Sequence, residues 1–119
     1  MAAISKVLRK AEGGRLLFLC PGCDTLHYIQ HGPGPGPRWD YNGNADRPTF
    51  RPSVLVSWDQ WEPPATSPEI AERIRRGEIQ QVKVQKVCHS FVTDVRIQFL
   101  GDCTHALAGQ TVDLPDVDG

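Results

Sequence analysis

The 119-residue chain lacks a charge excess: thirteen Lys plus Arg stand against fourteen Asp plus Glu, a formal net charge of −1. No whole-molecule field is then available to gather nucleic acid or an anionic membrane surface, so a nucleic-acid partner is disfavoured, although a local basic patch stays open. The chain also lacks any stretch approaching the ~20 apolar residues that a membrane span requires. Its first ten residues, MAAISKVLRK, have no apolar core of the secretory kind. The expectation is a protein without membrane contact, in a reducing cytoplasm. Two catalytic patterns are missing as well. The His-x-Glu with Pro-Cys-x-x-Cys pattern of zinc deaminases is absent, and the Cys20-Pro21-Gly22-Cys23 run is followed by no helix of the kind that activates a redox thiolate.

What is present centres on that Cys-x-x-Cys. It follows the apolar run Arg15 to Leu19 and has distant counterparts at Cys88-His89 and Cys103-Thr104-His105. Two thiolates at a tight turn can grip one face of a tetrahedral Zn²⁺, and Pro21 and Gly22 suit the bend between them. Four cysteines could form two disulfides, but without export metal ligation is the better reading. The simplest ligand set is Cys20, Cys23, Cys88 and Cys103. His89 is the alternative fourth ligand, and His105 stands ready to ligate beside Cys103 or to support from the second shell. His27, close after Cys23, is weighed as a ligand too, but a lone histidine on a strand is more often structural.

Hydrophobic alternation predicts a mainly β fold with one short helix (α+β), a small zinc-ribbon-like antiparallel sheet with hairpins, stapled by metal. One zinc-binding β-rich domain is expected over residues 1–115, with a frayed acidic tail at 116–119. Leu16 and Phe18 should face one side of a central strand, Leu17 and Leu19 the other. Gly32 to Pro37 offers little side chain to pack and reads as an exposed loop. The prolines of Arg47-Pro48-Thr49-Phe50-Arg51-Pro52-Ser53 mark a strand entry or a bulge before Val54 to Trp58. Ser67, Pro68 and Gly77 bound the helix, on which Glu69 with Arg73 and Glu72 with Arg76 are spaced to pair. A second hairpin should turn near Asp94-Val95. In an extended backbone Cys88 and His89 project to opposite faces, so one of them at most should meet the metal.

The runs Phe18 to His27, Arg47 to Val54, Val87-Cys88-His89-Ser90-Phe91-Val92 and Ile97 to Pro115 resemble a family of small phage and prophage proteins of unknown function. The resemblance covers nearly the whole chain. It implies a phage-encoded protein in the host cytoplasm, with a host or phage protein as partner. More distant members resemble proteins encoded beside bacterial ubiquitin-like conjugation genes. In these, the later motif is similar to Cys-x-x-His-Phe, which favours His89 as a ligand. Relatives labelled ammonia monooxygenase imply an activity that this chain cannot carry, since that enzyme is a membrane-embedded copper complex. Two function classes follow. The favoured one is a non-catalytic binding or adaptor module with structural zinc, because four protein ligands leave no open position on the metal. The other is a small zinc-dependent hydrolase with Asp102, His89 or His105 as proton carriers. A thiol redox protein acting through Cys20 and Cys23 is a remote third.

Overall fold

A computed structural model describes residues 2–118. The elements run β1 (Ala2–Ala3), β2 (Arg9–Lys10), a 3-10 turn at Glu12–Gly14, β3 (Leu16–Cys20), β4 (Thr25–Ile29), β5 (Asp40–Tyr41), β6 (Phe50–Glu62), α1 (Pro68–Arg75), β7 (Val82–Thr93), β8 (Arg96–Phe99) and β9 (Thr111–Asp113). The fold is mainly β with one helix, but the strands form two antiparallel sheets, ordered β1-β2-β3-β4 and β5-β6-β7-β8-β9. Among the described residues no helix is long and apolar enough to cross a membrane.

Strand alternation builds the core between the sheets. Leu16, Phe18 and Cys20 of β3, with Ile29 of β4, meet Phe50 and Val54 of β6, Cys88 and Val92 of β7, and Ile97 and Phe99 of β8. Phe18 and Phe50 stack at 6.3 Å between ring centres. β3 lies between β2 and β4, and Leu17 on its other face is also fully buried, consistent with an apolar strand of central position. The β7–β8 turn falls at Asp94 and Val95, both with positive φ (50° and 66°).

β6 and β7 are much longer than their neighbours. β5 meets β6 only at Phe50 and Arg51, and β8 meets β7 only at Ser90 to Thr93, whereas β6 and β7 run together from Val54/Ser90 to Glu62/Val82. The excess forms a two-stranded arm whose tip carries α1. It explains a radius of gyration of 16.9 Å, against about 13.5 Å for a compact chain of this length. In α1, Ser67 Oγ accepts the N–H of Ile70 at 3.2 Å, and Gly77 ends the run at φ 79°. Glu72 pairs with Arg75 and Arg76, but Arg73 turns to Glu78 rather than to Glu69.

The chain end corrects the expectation of a frayed tail. Val117 is buried and its N–H donates to the Lys6 carbonyl at 2.7 Å, while Asp118 pairs with Arg9. Val117 is thus a buried apolar side chain tied back to the segment before β2. Gly119 and Met1 lie outside the described residues.

Candidate active site and metal centre

The first site is built by three short elements that bring together a hydroxyl, an imidazole and a carboxylate. Pro52 has no N–H to give to a ladder, and the β6–β7 register slips between Phe50 and Val54. This irregularity presents Ser53 beside the odd-numbered face of β7. Ser53 Oγ lies 2.8 Å from His89 Nε2, and His89 Nδ1 lies 3.0 Å from Asp102 Oδ2. Donation of Nδ1–H to Asp102 leaves Nε2 as the acceptor for the Ser53 hydroxyl. This is the nucleophile–base–orienter chain of a serine hydrolase. The His89 side chain is 23% exposed and that of Asp102 56%, so the triad opens to solvent. Cys103 braces it from behind: its Sγ accepts the His89 N–H and donates to the His89 carbonyl, both at 3.2 Å.

The second site uses the other face of the same strand. Cys20 ends β3, and a turn closed by Asp24 N–H to the Cys20 carbonyl at 2.8 Å returns the chain through Cys23 into β4. In that hairpin Phe18 pairs with His27, which puts His27 on the same face as Cys20. Cys88 comes from β7 in the other sheet. Ligand atoms of Cys20, Cys23, His27 and Cys88 all lie within 4.8 Å of one another. Cys20 Sγ and Cys88 Sγ are 3.7 Å apart, close to the ~3.8 Å expected for two sulfurs bound tetrahedrally at ~2.3 Å from zinc. His27 Nε2 is buried without a hydrogen-bond partner, an orphaned donor or acceptor that a metal would satisfy. The residues present therefore fit a metal ion.

The electrostatics agree. The Cys88 S–H, partly opposed by burial, brings the Cys20 thiol down to about 4, with His27 helping. Hydrogen bonding to Cys20 and burial push the Cys88 thiol up, and burial with the Cys20 charge pushes Cys23 up to about 11. Three thiols this close disfavour one another's ionisation, and an S–H beside a thiolate stabilises its charge. A cation would replace the thiol protons.

The sequence-derived ligand set is thereby redistributed. Cys20, Cys23 and Cys88 come together, but the fourth group beside them is His27. Cys103 instead meets Cys88 and His105. His89 has both ring nitrogens engaged, by Ser53 and Asp102, and contributes none to the metal group. His105 accepts the Leu107 N–H on Nδ1 at 3.2 Å, and its Nε2 is buried without a partner. Its ring lies against the Cys turn: a Cβ built on Gly22 would fall 2.3 Å from His105 Cε1. Gly22 is thus required for space. The left-handed residue of the turn is Asp24, at φ 55°.

Ser53 was not among the residues singled out from the sequence. Nothing local marks it, because the triad runs Ser53, His89, Asp102 along the chain with no motif around the serine, and only the strand pairing joins them. For His27 the sequence signal is hairpin parity, which places it on the face of Cys20.

No curated protein and no solved structure matches the chain. The family described as bacterial ubiquitination-like system serine protease (BubE) matches residues 2–100, a span that includes Ser53 and His89 and stops two residues before Asp102. This overturns the expectation of a non-catalytic zinc adaptor: a family described by its protease activity points to catalysis, and four metal-type side chains leave the serine site on the other face of β7 free to act. It also names a bacterial system where the resemblance pointed to phage and prophage proteins. With a match over most of its length, the chain belongs to the family of bacterial ubiquitination-like system serine proteases (BubE).

Proposed function

We propose that the chain is a serine peptidase in which Ser53 is the nucleophile, His89 the general base and then acid, and Asp102 the group that fixes the His89 tautomer. The observation that carries this reading is the unbroken hydrogen-bonded chain from Ser53 Oγ through His89 to Asp102. Ser53 Oγ attacks the substrate carbonyl carbon as its proton passes to His89 Nε2. The C–N bond then breaks and the amine leaves with that proton. A water molecule next gives a proton to Nε2 and its oxygen to the acyl carbon, and Ser53 leaves by taking the proton back. Asp102 keeps Nδ1 protonated and stabilises the imidazolium in both steps. Membership of the family supports an amide bond in a protein of a ubiquitination-like system as the substrate.

The metal is zinc in this proposal, held by Cys20, Cys23, His27 and Cys88, because soft thiolates with one imidazole are a set that zinc favours. When bound it supplies a structural tie between the two sheets. Cys103 is assigned to His89 rather than to the metal.

The test is labelling of the full chain with a fluorophosphonate and mapping of the adduct by mass spectrometry. One adduct on Ser53, lost in Ser53→Ala and slowed in His89→Ala, is the expected result. Labelling that persists in Ser53→Ala, or none in the native chain, refutes the proposal.

A further inference from the structure

Resting on the serine-peptidase reading, we infer that the open edge of β6 beyond Ser53 is the substrate-docking strand, and that it takes an extended stretch of polypeptide carrying a large apolar side chain near the scissile bond. The backbone directions lead to this edge. On β7 the Val87 carbonyl accepts from Thr104 N–H and the His89 carbonyl accepts from Leu100 N–H, both at 2.9 Å. Val87 and His89 thus direct their backbone groups away from β6, and their neighbours Lys86, Cys88 and Ser90 bond to Trp58, Val56 and Val54. The intervening residues of β6, Leu55 and Ser57, must point their N–H and C=O groups the other way. On that side β5 stops at Arg51, and the Trp39 indole donates to the Ser53 carbonyl at 3.1 Å. Among the described residues no strand pairs with β6 past that indole. Leu55, directly opposite His89 in the ladder, is 58% exposed.

Such an edge binds extended chain by adding a strand. The side chains of that strand alternate between faces. A peptide residue set opposite Val56 would present its side chain on the face of Val56. There a cavity of about 330 Å³, lined by Leu26, Tyr28, Val56 and Trp58 with Thr25 and His27, lies between the edge of β6 and β4, the last strand of the other sheet. Its walls are mostly apolar, and Tyr28 and Trp58 stand partly in solvent. Val56 is three residues from Ser53, so the apolar side chain should fall about three residues from the one whose carbonyl meets Ser53 Oγ. The edge supplies affinity through backbone pairing, and the cavity supplies selection.

The experiment uses the full chain, a positional-scanning library of internally quenched peptides, and fluorophosphonate labelling as a separate report on Ser53. The library should select a large apolar residue about three positions from the cleaved bond on one side. N-methylation of the peptide amides that pair with Leu55 and Ser57 should lower kcat/KM about three- to tenfold each, as for a lost hydrogen bond. Trp58→Ala should erase the apolar preference, read as a rise in KM for the apolar peptides, with melting temperature as the check on folding. Cleavage with no such preference and no sensitivity to N-methylation overturns the inference, as does a labelled Ser53 that cleaves no library peptide. Absence of labelling overturns the serine-peptidase reading itself.

Discussion

Removal of the Asp102 carboxylate is the perturbation whose size the structure bounds most closely. In the attack step His89 becomes a cation with Asp102 as its counter-ion, Nδ1 to Oδ2 being 3.0 Å. Two unit charges centred about 4 Å apart interact by about 1 kcal/mol in bulk water and about 4 kcal/mol at the effective dielectric of a protein surface. Asp102 is more than half exposed, whereas His89 is mostly covered, which places the pair between these limits, at about 2–3 kcal/mol. Asp102→Ala should then lower kcat about 30- to 150-fold, while Ser53→Ala removes covalent catalysis altogether. The assay is ester and peptide hydrolysis by native chain, Asp102→Ala and Ser53→Ala, with melting temperature and metal content as controls on folding. A kcat within twofold of native would show that Asp102 does not act on His89. A loss as complete as that of Ser53→Ala would show that the carboxylate is far less screened than its exposure implies.

Three further outcomes follow from single contacts. Gly22→Ala places a methyl group where the His105 ring lies, 2.3–2.6 Å from three ring atoms, and should cost about 1–3 kcal/mol in urea unfolding as an overpacking change; a change below about 0.5 kcal/mol would refute the contact. His27→Ala should weaken metal affinity by more than about 100-fold in competition with a chromophoric chelator, a larger effect than loss of a supporting hydrogen bond, and unchanged affinity would return the fourth position to Cys103. The Arg47 guanidinium, bound to Asp94 at 2.6 and 2.9 Å, holds its carboxyl below the ordinary carboxylate range. A folded value below the unfolded one means that this pair supports the fold at neutral pH and stops doing so as pH falls through the folded value. Carboxyl-carbon NMR should show Asp94 titrating lower in native chain than in Arg47→Ala.

The strands were legible where the local apolar pattern and its turn residues are strong. Leu16 to Cys20, the turn at Asp94-Val95 and the Ser67-capped helix are set by local pattern, and the structure has them there. The two-sheet division was not legible, because pairing partners separated by tens of residues leave no local trace. The metal group was legible as three cysteines, since a Cys-x-x-Cys turn with distant thiols is a pattern that metal ligation explains, but its fourth member depended on strand register. The serine site was hidden for a stronger reason. Ser53 follows a proline in a segment that reads as an irregular strand entry, and its meaning lies wholly in facing His89 across β6 and β7. His89 and Asp102 each adjoin a cysteine, and those neighbours point to a metal-centred reading, with His89 as an alternative ligand and both as proton carriers beside zinc, whereas in the structure they contact each other in the serine site.

That same parity decides what the metal does. Cys88 and His89 are consecutive on β7, so one faces Cys20, Cys23 and His27 while the other faces Ser53 and Asp102. A metal bound to Cys88 therefore fixes the backbone that aims His89 but has a strand between it and the hydroxyl that reacts. Chelation should lower the melting temperature and kcat together, with no step in which the ion touches substrate. Replacement of Zn²⁺ by Co²⁺, which accepts the same ligands, should restore both and leave kcat within about twofold of the zinc form, because an ion that only positions does not enter the barrier. Melting temperatures and kcat of zinc-, cobalt- and metal-free chain decide the matter. If the cobalt form melts like the zinc form yet turns over tenfold faster or slower, the ion acts on the reacting atoms and the strand does not separate the two sites.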